Sequence, residues 1–169
     1  LADLLLEEGN NYLKSTSQNF QPNISYFNYG GIRTFLPEGE ITVGKIYELM
    51  PFENEMVFLK LNGQQINEFL DAVAGKGGDS LGGVRFKISD GNATDINIGG
   101  APLRENGSYW LVTNDYIAGG GDDLEVLTQR SEFVKSGKKI RNVIISHLEK
   151  LNEKGEILSA QTDERITNE

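Results

Sequence analysis

The sequence ISYFNYGGIR, residues 24–33, combines a β-strand pattern with a polar turn. Residues 24–27 form a short run of apolar, β-prone side chains, which predicts a buried strand. The two glycines that follow allow backbone conformations and close approaches that a Cβ would forbid. Arg33 then offers a planar guanidinium that fits a carboxylate or a phosphate. The stretch therefore predicts a strand end that presents a polar ligand site, although a glycine pair is also typical of a plain turn.

The rest of the chain alternates helix and strand patterns around this stretch. Apolar periodicity and turn residues predict helices at 1–13, 43–49, 64–74 and 138–151, and strands at 56–61, 84–88, 94–98 and 109–113. Thr42 is the expected N-cap of the second helix, and Gly75 is the expected C′ residue of the third. Residues 75–83 are expected to form a glycine-rich loop, and residues 156–167 a closing strand or a tail. This order favours one α+β domain with layered, mixed sheets.

Composition limits the classes of function. A chain of 169 residues is long enough for one domain with a sizeable core. The formal net charge of -9 disfavours binding to a nucleic-acid backbone or to an anionic membrane surface. The absence of cysteine excludes disulfides, thiolate catalysis and cysteine-ligated metal, and no apolar stretch reaches transmembrane length. We therefore expect no nucleic-acid partner and no membrane span.

His147 is the only histidine in the sequence, and it falls near the apolar stripe of the last predicted helix. Dinuclear hydrolase sites usually combine several histidines with carboxylates. A Ser-His-Asp relay needs its histidine beside a nucleophile. We therefore expect a packing or surface role for His147, and we predict neither a metal site nor a catalytic residue in this chain.

Phe52 and Tyr116 fall in predicted loops rather than in apolar stripes. Phe52 follows Pro51 among acidic neighbours, and Tyr116 precedes a run of three glycines at 119–121. Such rings can stack on a purine or a pyrimidine, which contributes roughly 1–3 kcal/mol per base. They can equally fold back onto the core as loop anchors, and the pattern alone leaves both interpretations open.

An ordered series of motifs resembles the C-terminal domain of the 5′-nucleotidase family. The series consists of NYGGIR at 28–33, GEIT at 39–42, PFEN at 51–54, LNG at 61–63 and TNDYIAGGGD at 113–122. It covers nearly the whole chain and is far more specific than any one of its parts. The resemblance implies a layered α/β/β/α sandwich with mixed sheets and a periplasmic or cell-surface location. A complete enzyme of this family also has an N-terminal metallophosphoesterase domain, which holds divalent metals such as zinc or manganese.

The resemblance also implies which residues bind substrate. Phe52 and Tyr116 match the two aromatic walls that sandwich the base. Asp122 matches the acidic residue that bonds the ribose hydroxyls, and Asn28 and Arg33 match positions near the phosphate. The full implied set is Asn28, Gly31, Arg33, Phe52, Gly83, Tyr116 and Asp122.

The sequence departs from the family pattern in two ways. Tyr116 stands where the family usually has Phe, and the chain starts after a segment that carries further phosphate-binding arginines. We therefore expect residues 1–169 to form a domain with a truncated N-terminal edge, an incomplete phosphate site and no metallophosphoesterase domain. Gly82 and Gly83 fall near a family glycine that lies beside the base.

Two hypotheses from different classes follow. In the first, the chain recognises a nucleoside or nucleoside 5′-phosphate for a 5′-nucleotidase-type phosphohydrolase of nucleotide catabolism. It then binds no cofactor itself and is inactive without a dinuclear-metal domain, in the same precursor or in a separate chain. The alternative is a non-catalytic binding or protein-interaction module that kept the fold without the ligand. A self-sufficient hydrolase is disfavoured because one helical histidine does not supply a dinuclear metal site.

Overall fold

A computed structural model describes residues 1–16, 18–159 and 162–169. Its α-helices are α1 Ala2–Ser15, α2 Val43–Leu49, α3 Gly63–Gly75, α4 Asp115–Ala118 and α5 Ile140–Glu153. Its strands are β1 Ile24–Phe27, β2 Glu55–Asn62, β3 Ser80–Gly82, β4 Val84–Ser89, β5 Asn92–Ile98, β6 Ala101–Pro102, β7 Ser108–Asn114, β8 Glu132–Lys139 and β9 Ile166–Asn168. Short 3₁₀ turns cover Tyr29–Gly31, Gly121–Asp123 and Glu125–Gln129. Within the described residues, no helix is both long and apolar enough to cross a membrane.

The strands form two mixed sheets. The five-stranded sheet has the order β3-β1-β7-β2-β8, in which β1 and β7 are parallel and the other neighbours are antiparallel. The four-stranded sheet has the order β6-β5-β4-β9, in which only β4 and β9 are parallel. The α+β class with mixed sheets, expected from the sequence, is confirmed.

Two apolar cores lie on the two faces of the five-stranded sheet. Helices α1, α2 and α5 cover one face, where Phe58 and Val112 are fully buried. The opposite core contains α3 together with the inner face of the four-stranded sheet. Along β2 the side chains alternate between these cores, because successive residues of a strand point to opposite faces. The five-stranded sheet is therefore held from both sides, which gives the ends of its strands a fixed position.

Several local predictions are confirmed, and others are wrong. Thr42 caps α2 by accepting a hydrogen bond from the backbone N–H of Lys45 at 3.2 Å. Gly75 is not the C′ residue of α3: it is the last helical residue, Lys76 is the cap, and the positive φ of 83° falls at Gly77. The predicted loop at 75–83 contains β3, which pairs with β1.

The region before the last helix also differs from the prediction. Residues 132–139 form the edge strand β8, and α5 begins only at Ile140. The polar sequence of β8 does not alternate in the manner of a half-buried strand, so periodicity gave no signal. The closing strand expected within 156–167 is short, and β9 spans Ile166–Asn168. Residues 160 and 161 of that predicted segment lie outside the described residues.

Candidate functional site

A pocket of about 410 Å³ opens at one edge of the five-stranded sheet. Because β1 and β7 are parallel, their carboxyl ends meet at this edge, and the antiparallel β2 begins there. The pocket is lined by Phe27, Asn28, Gly30, Gly31, Arg33, Met50, Phe52, Asn54, Asn114, Tyr116 and Asp122. Its volume lies within the range of about 300–1,000 Å³ that is typical of small-molecule sites.

Most of the residues that the resemblance implied line this one pocket. They come from three separate parts of the chain: the turn after β1, the loop before β2, and α4 with the glycine run that follows it. The lining members of the implied set are Asn28, Gly31, Arg33, Phe52, Tyr116 and Asp122. Their shared position is a structural fact, and their role in binding stays a prediction.

Gly83 is the exception, because it lies outside this pocket. Its φ is +74°, and a Cβ built on it would lie 2.1 Å from the backbone oxygen of Asn23. Gly82 is equally crowded, with Oγ of Ser25 at 2.4 Å from a built Cβ. Close packing near the start of β1 therefore gives this glycine pair a structural reason, and a place for Gly83 beside the base stays a prediction.

A chain of amides leads from the sheet to the pocket. Asn114 is buried at the end of β7, and its side-chain oxygen caps α4 by accepting from the backbone N–H of Ile117 at 2.8 Å. Its Nδ2 donates to Oδ1 of Asn28 at 3.3 Å. Asn28 is also buried, and its Nδ2 donates to Oδ2 of Asp122 at 2.7 Å. The sheet thereby fixes the orientation of a carboxylate at the pocket wall.

The turn that carries Asn28 is held by a second carboxylate. Asp79 accepts a hydrogen bond from the hydroxyl of Tyr26 at 2.8 Å and another from the backbone N–H of Tyr29 at 3.0 Å. Burial, followed by the charge of Asp79 and the hydrogen bond to it, raises the pKa of Tyr26 well above its usual range. The phenol therefore stays protonated and remains a donor.

Gly31 lies where this turn leaves little room for a side chain. A Cβ at Gly31 would lie 3.1 Å from Oδ1 of Asn28 and 3.1 Å from the ring of Phe27. Contacts of this length are closer than nearly all real Cβ contacts, so the amide or the ring would have to move. The glycine thus protects the orientation of Asn28, which the sequence alone could not show.

Tyr116 contributes both a ring and a hydroxyl. Its side chain is 52% exposed, and its ring borders the pocket. The hydroxyl donates a hydrogen bond to Oδ1 of Asp122 at 2.9 Å. This bond raises the pKa of Tyr116, so the phenol keeps its proton and acts as the donor. A Cβ at Gly121 would lie 2.5 Å from the ring, so the missing side chain makes room for Tyr116.

The backbone of Asp122 is held in an uncommon conformation. Its φ of 56° and ψ of 37° fall in the left-handed region, which few residues other than Gly and Asn or Asp adopt. Gly120 precedes it with a φ of 91°. Nζ of Lys76, at the end of α3, donates a hydrogen bond to the backbone oxygen of Asp122. The turn therefore aims the carboxylate back toward Tyr116 and Asn28.

Phe52 forms another part of the wall and is 43% exposed. The guanidinium carbon of Arg33 lies 5.9 Å from the centre of its ring. Nη1 of Arg33 donates to the backbone oxygen of Gly30 at 3.3 Å, and its backbone N–H donates to the backbone oxygen of Leu49 at 2.9 Å. Phe52 and Tyr116 both remain outside the two apolar cores, so neither ring is a buried loop anchor.

Arg141 supports this wall from α5, and no sequence pattern predicted this role. The side chain is buried, and Nη1 donates to the backbone oxygens of Met50 at 3.3 Å and Phe52 at 3.4 Å. Nη2 pairs with Glu53, and the guanidinium carbon lies 4.0 Å from the centre of the Tyr47 ring. Arg141 therefore fixes the loop that presents Phe52.

The structure offers a poor match to a dinuclear metal site. Among the described residues, Glu7, Glu8 and His147 form one group whose potential ligand atoms lie within 4.8 Å of one another. Glu8 already accepts from Nδ1 of His147 at 3.1 Å and from Nζ of Lys150 at 3.2 Å. Glu8 is therefore already satisfied by His147 and by the Lys150 ammonium, and these contacts join α1 to α5.

A larger and more open groove of about 790 Å³ lies on the outer face of the four-stranded sheet. Each basic side chain in its lining is already paired with a carboxylate. Lys87 bonds Asp95 at 2.7 Å, and Arg85 bonds Asp163 at 2.8 Å. Because these basic groups already have carboxylate partners, they are poorly suited to bind an anionic ligand, and the smaller pocket is the better candidate.

Comparisons with known proteins agree with the fold and the motifs. The family described as "5′-nucleotidase, C-terminal domain" matches residues 7–129. The chain is 28% identical over 137 residues to a 5′-nucleotidase of Vibrio cholerae, which covers 78% of this chain and 25% of that protein. It is 29% identical over 126 residues to protein UshA of Escherichia coli, which covers 72% of this chain and 23% of that protein.

A solved structure is similar over almost the full length. The 5′-nucleotidase precursor from Thermus thermophilus superposes with a TM-score of 0.81 and 28% identity. The match covers 98% of this chain and 34% of that one. The chain therefore spans about a quarter to a third of the length of these three proteins. Since the family match extends over most of its length, the chain belongs to the 5′-nucleotidase C-terminal domain family.

Proposed function

We propose that this chain is the nucleotide-recognition domain of a 5′-nucleotidase-type phosphohydrolase that acts in nucleotide catabolism. A nucleoside 5′-phosphate would bind with its base between Phe52 and Tyr116, its ribose at Asp122 and its phosphate toward Arg33. One observation carries the proposal: two half-exposed rings, an oriented carboxylate and a guanidinium line a single pocket. This combination matches the three chemical parts of a nucleotide.

The expected energetics favour the rings as the main source of affinity. Stacking of a base on an aromatic side chain contributes roughly 1–3 kcal/mol and tolerates different bases. Arg33 supplies donors that suit a phosphate. An ionised carboxylate has about four acceptor positions. Tyr116 and Asn28 donate to two of those of Asp122, so the others can accept hydrogen bonds from ribose hydroxyls.

Catalysis in this proposal needs a separate metallophosphoesterase domain, in the same precursor or in another chain. Hydrolysis of a phosphate monoester commonly uses a metal-activated hydroxide and a Lewis acid. Divalent metals such as zinc or manganese would bind in that domain. The group at Glu8 and His147 does not fit this chemistry, so no step is assigned to it. The greater length of the relatives supports a second domain, and the same proposal puts the protein in the periplasm or at the cell surface.

Isothermal titration with adenosine and AMP tests the proposal. We expect both to bind, and we expect Phe52→Ala to weaken adenosine binding about tenfold or more, because one stacking surface is lost. Phe35→Ala is the matched control, since Phe35 is a loop aromatic that is 75% exposed and lies outside the pocket lining. If neither ligand binds at millimolar concentration, or if the two variants behave alike, the proposal is wrong.

The phosphate arm has its own test. Arg33→Gln removes the guanidinium but keeps a polar side chain of moderate length. We expect it to weaken AMP binding more than adenosine binding, because adenosine lacks the phosphate. An equal loss for both ligands would mean that Arg33 supports the pocket rather than the phosphate.

A protein-interaction module is the second candidate, favoured by an exposed apolar surface on α2. Val43 and Tyr47 lie one helical turn apart and are both about half exposed. Phe35 is exposed near the same helix, with Nζ of Lys45 at 5.8 Å from its ring centre. Capture of a partner phosphoesterase that is lost in a Val43→Asp, Tyr47→Asp variant and does not depend on nucleotide would favour this candidate.

A further inference from the structure

The hydroxyl of Tyr116 and the amide of Asn28 hold the carboxylate of Asp122 between them. Tyr116 donates to Oδ1 at 2.9 Å, and Asn28 donates to Oδ2 at 2.7 Å. Each carboxylate oxygen can accept a second hydrogen bond. Within the part of the chain that the structure describes, these two bonds leave one acceptor position on each oxygen, and the two donors set the orientation of both oxygens.

The two donors differ in how firmly they are held. Asn28 is buried and is anchored by Asn114. Tyr116 is half exposed, and its ring also forms a wall of the pocket. The phenol thus connects the surface that would stack on a base to the acceptor that would meet the sugar.

The backbone around this contact is arranged to permit it. Gly121 lacks the Cβ that would lie 2.5 Å from the Tyr116 ring. Asp122 adopts the left-handed conformation, and Lys76 holds its backbone oxygen. These features direct the side chain of Asp122 toward the phenol before any ligand binds. A freely rotating aspartate would instead lose conformational entropy on binding a sugar.

We propose that Tyr116 is a positioning residue for ribose, which acts through its hydroxyl by holding Asp122 in the orientation that accepts hydrogen bonds from a vicinal diol. This inference rests on the proposed function. The predicted consequence is discrimination between sugars: ligands with both ribose hydroxyls depend on the phenol, and ligands without them do not. A phenylalanine ring at this position would stack equally well but would leave Oδ1 of Asp122 unheld.

Titration of the wild type and of Tyr116→Phe with adenosine and 2′,3′-dideoxyadenosine tests the inference. We expect the variant to bind adenosine about threefold to tenfold more weakly, in line with the loss of one hydrogen bond. We expect its affinity for the dideoxynucleoside to be unchanged, because the stacking ring remains. Tyr29→Phe is the control, since Tyr29 is an exposed tyrosine outside the pocket lining.

A double-mutant cycle separates positioning from a general structural effect. In an Asp122→Ala background, we expect Tyr116→Phe to have no further effect on adenosine affinity, because the group that it positions is gone. An equal loss in both backgrounds, or an equal loss for both nucleosides, would overturn the inference. If the wild type binds both nucleosides but the ratio of their affinities is the same in Tyr116→Phe, only this inference fails. If the wild type binds neither, the proposed function fails and this inference with it.

Discussion

Nη1 of Arg141 lies 3.4 Å from the backbone oxygen of Phe52, although the two residues are 89 positions apart in the sequence. The same nitrogen lies 3.3 Å from the backbone oxygen of Met50. Helix α5 therefore holds the loop that carries one wall of the pocket. Arg141 is only 6% exposed, and its Nε makes no hydrogen bond within the described residues, so its remaining contacts are the ones that offset the cost of its burial.

Replacement of Arg141 by Met should lower the free energy of unfolding by about 1–3 kcal/mol. The physical reason is that two backbone oxygens of the Phe52 loop lose their donor while the site stays enclosed. Urea denaturation followed by tryptophan fluorescence measures the change. Arg104→Met is the control, because Arg104 is exposed in the loop before β7. Equal stability of the two variants would show that Arg141 does not support the loop.

Gly121→Ala should weaken adenosine binding without a large loss of stability. The added methyl group would lie 2.5 Å from the Tyr116 ring, and that exposed ring can swing away into solvent rather than strain the core. Isothermal titration and thermal denaturation measure the two effects. Gly119→Ala is the control, because its φ of -83° suits any residue and its nearest contact would be 3.4 Å. If Gly119→Ala and Gly121→Ala bind adenosine equally well, the close packing of the ring has no role in binding.

The sequence predicted the strand before the pocket and the loops around it, because their signals are local. Thr42 caps α2 as its position before an apolar run predicts. The turn at Gly31 follows β1 as its glycines indicate. Composition placed Phe52 correctly in a loop, whereas Tyr116 lies in the short helix α4 and not in the predicted loop. Only the family resemblance put the two rings in one pocket.

What the sequence could not predict depends on contacts between distant residues. Arg141 reaches Phe52 only because α5 packs beside α2, and its own helix shows no unusual pattern. The family resemblance put Gly83 near the base, but the sequence could not show that its backbone packs tightly against Asn23. The hydrogen bond between Tyr116 and Asp122 depends on a left-handed residue, which a pattern of three glycines permits but does not specify.

Gly63→Ala and Gly44→Ala should shift stability in opposite directions. A Cβ at Gly63, the first residue of α3, would lie 1.9 Å from the backbone oxygen of Arg104, so the loop must move at a cost of about 3 kcal/mol. A Cβ at Gly44, within α2, would have its nearest contact at 3.8 Å. Alanine there should stabilise the helix by about 0.5–1 kcal/mol, since it favours helix more than glycine does. Thermal denaturation measures the change in stability of each variant. A change in the same direction for both variants would contradict the expected steric effects.

The contact between α1 and α5 should make the free energy of unfolding depend on pH. The side chain of Glu8 is 11% exposed, and it accepts hydrogen bonds from His147 at 3.1 Å and Lys150 at 3.2 Å. Burial alone would raise the pKa of Glu8, but these hydrogen bonds and the positive charges together outweigh it and lower the pKa below the ordinary value of 4.5. The folded state therefore releases this proton more readily than the unfolded state does.

Because the pKa is lower in the folded state, the stabilisation from Glu8 is complete above the ordinary glutamate value and is lost as the pH falls through the folded value. Glu8→Gln removes the titrating group, so its free energy of unfolding should depend less steeply on pH in the acidic range than that of the wild type. Urea denaturation from about pH 3 to pH 6 measures the slope. Glu149→Gln is the control, because it removes an exposed carboxylate from the same helix as His147. Identical slopes for the two variants would mean that the Glu8 contact does not couple α1 to α5.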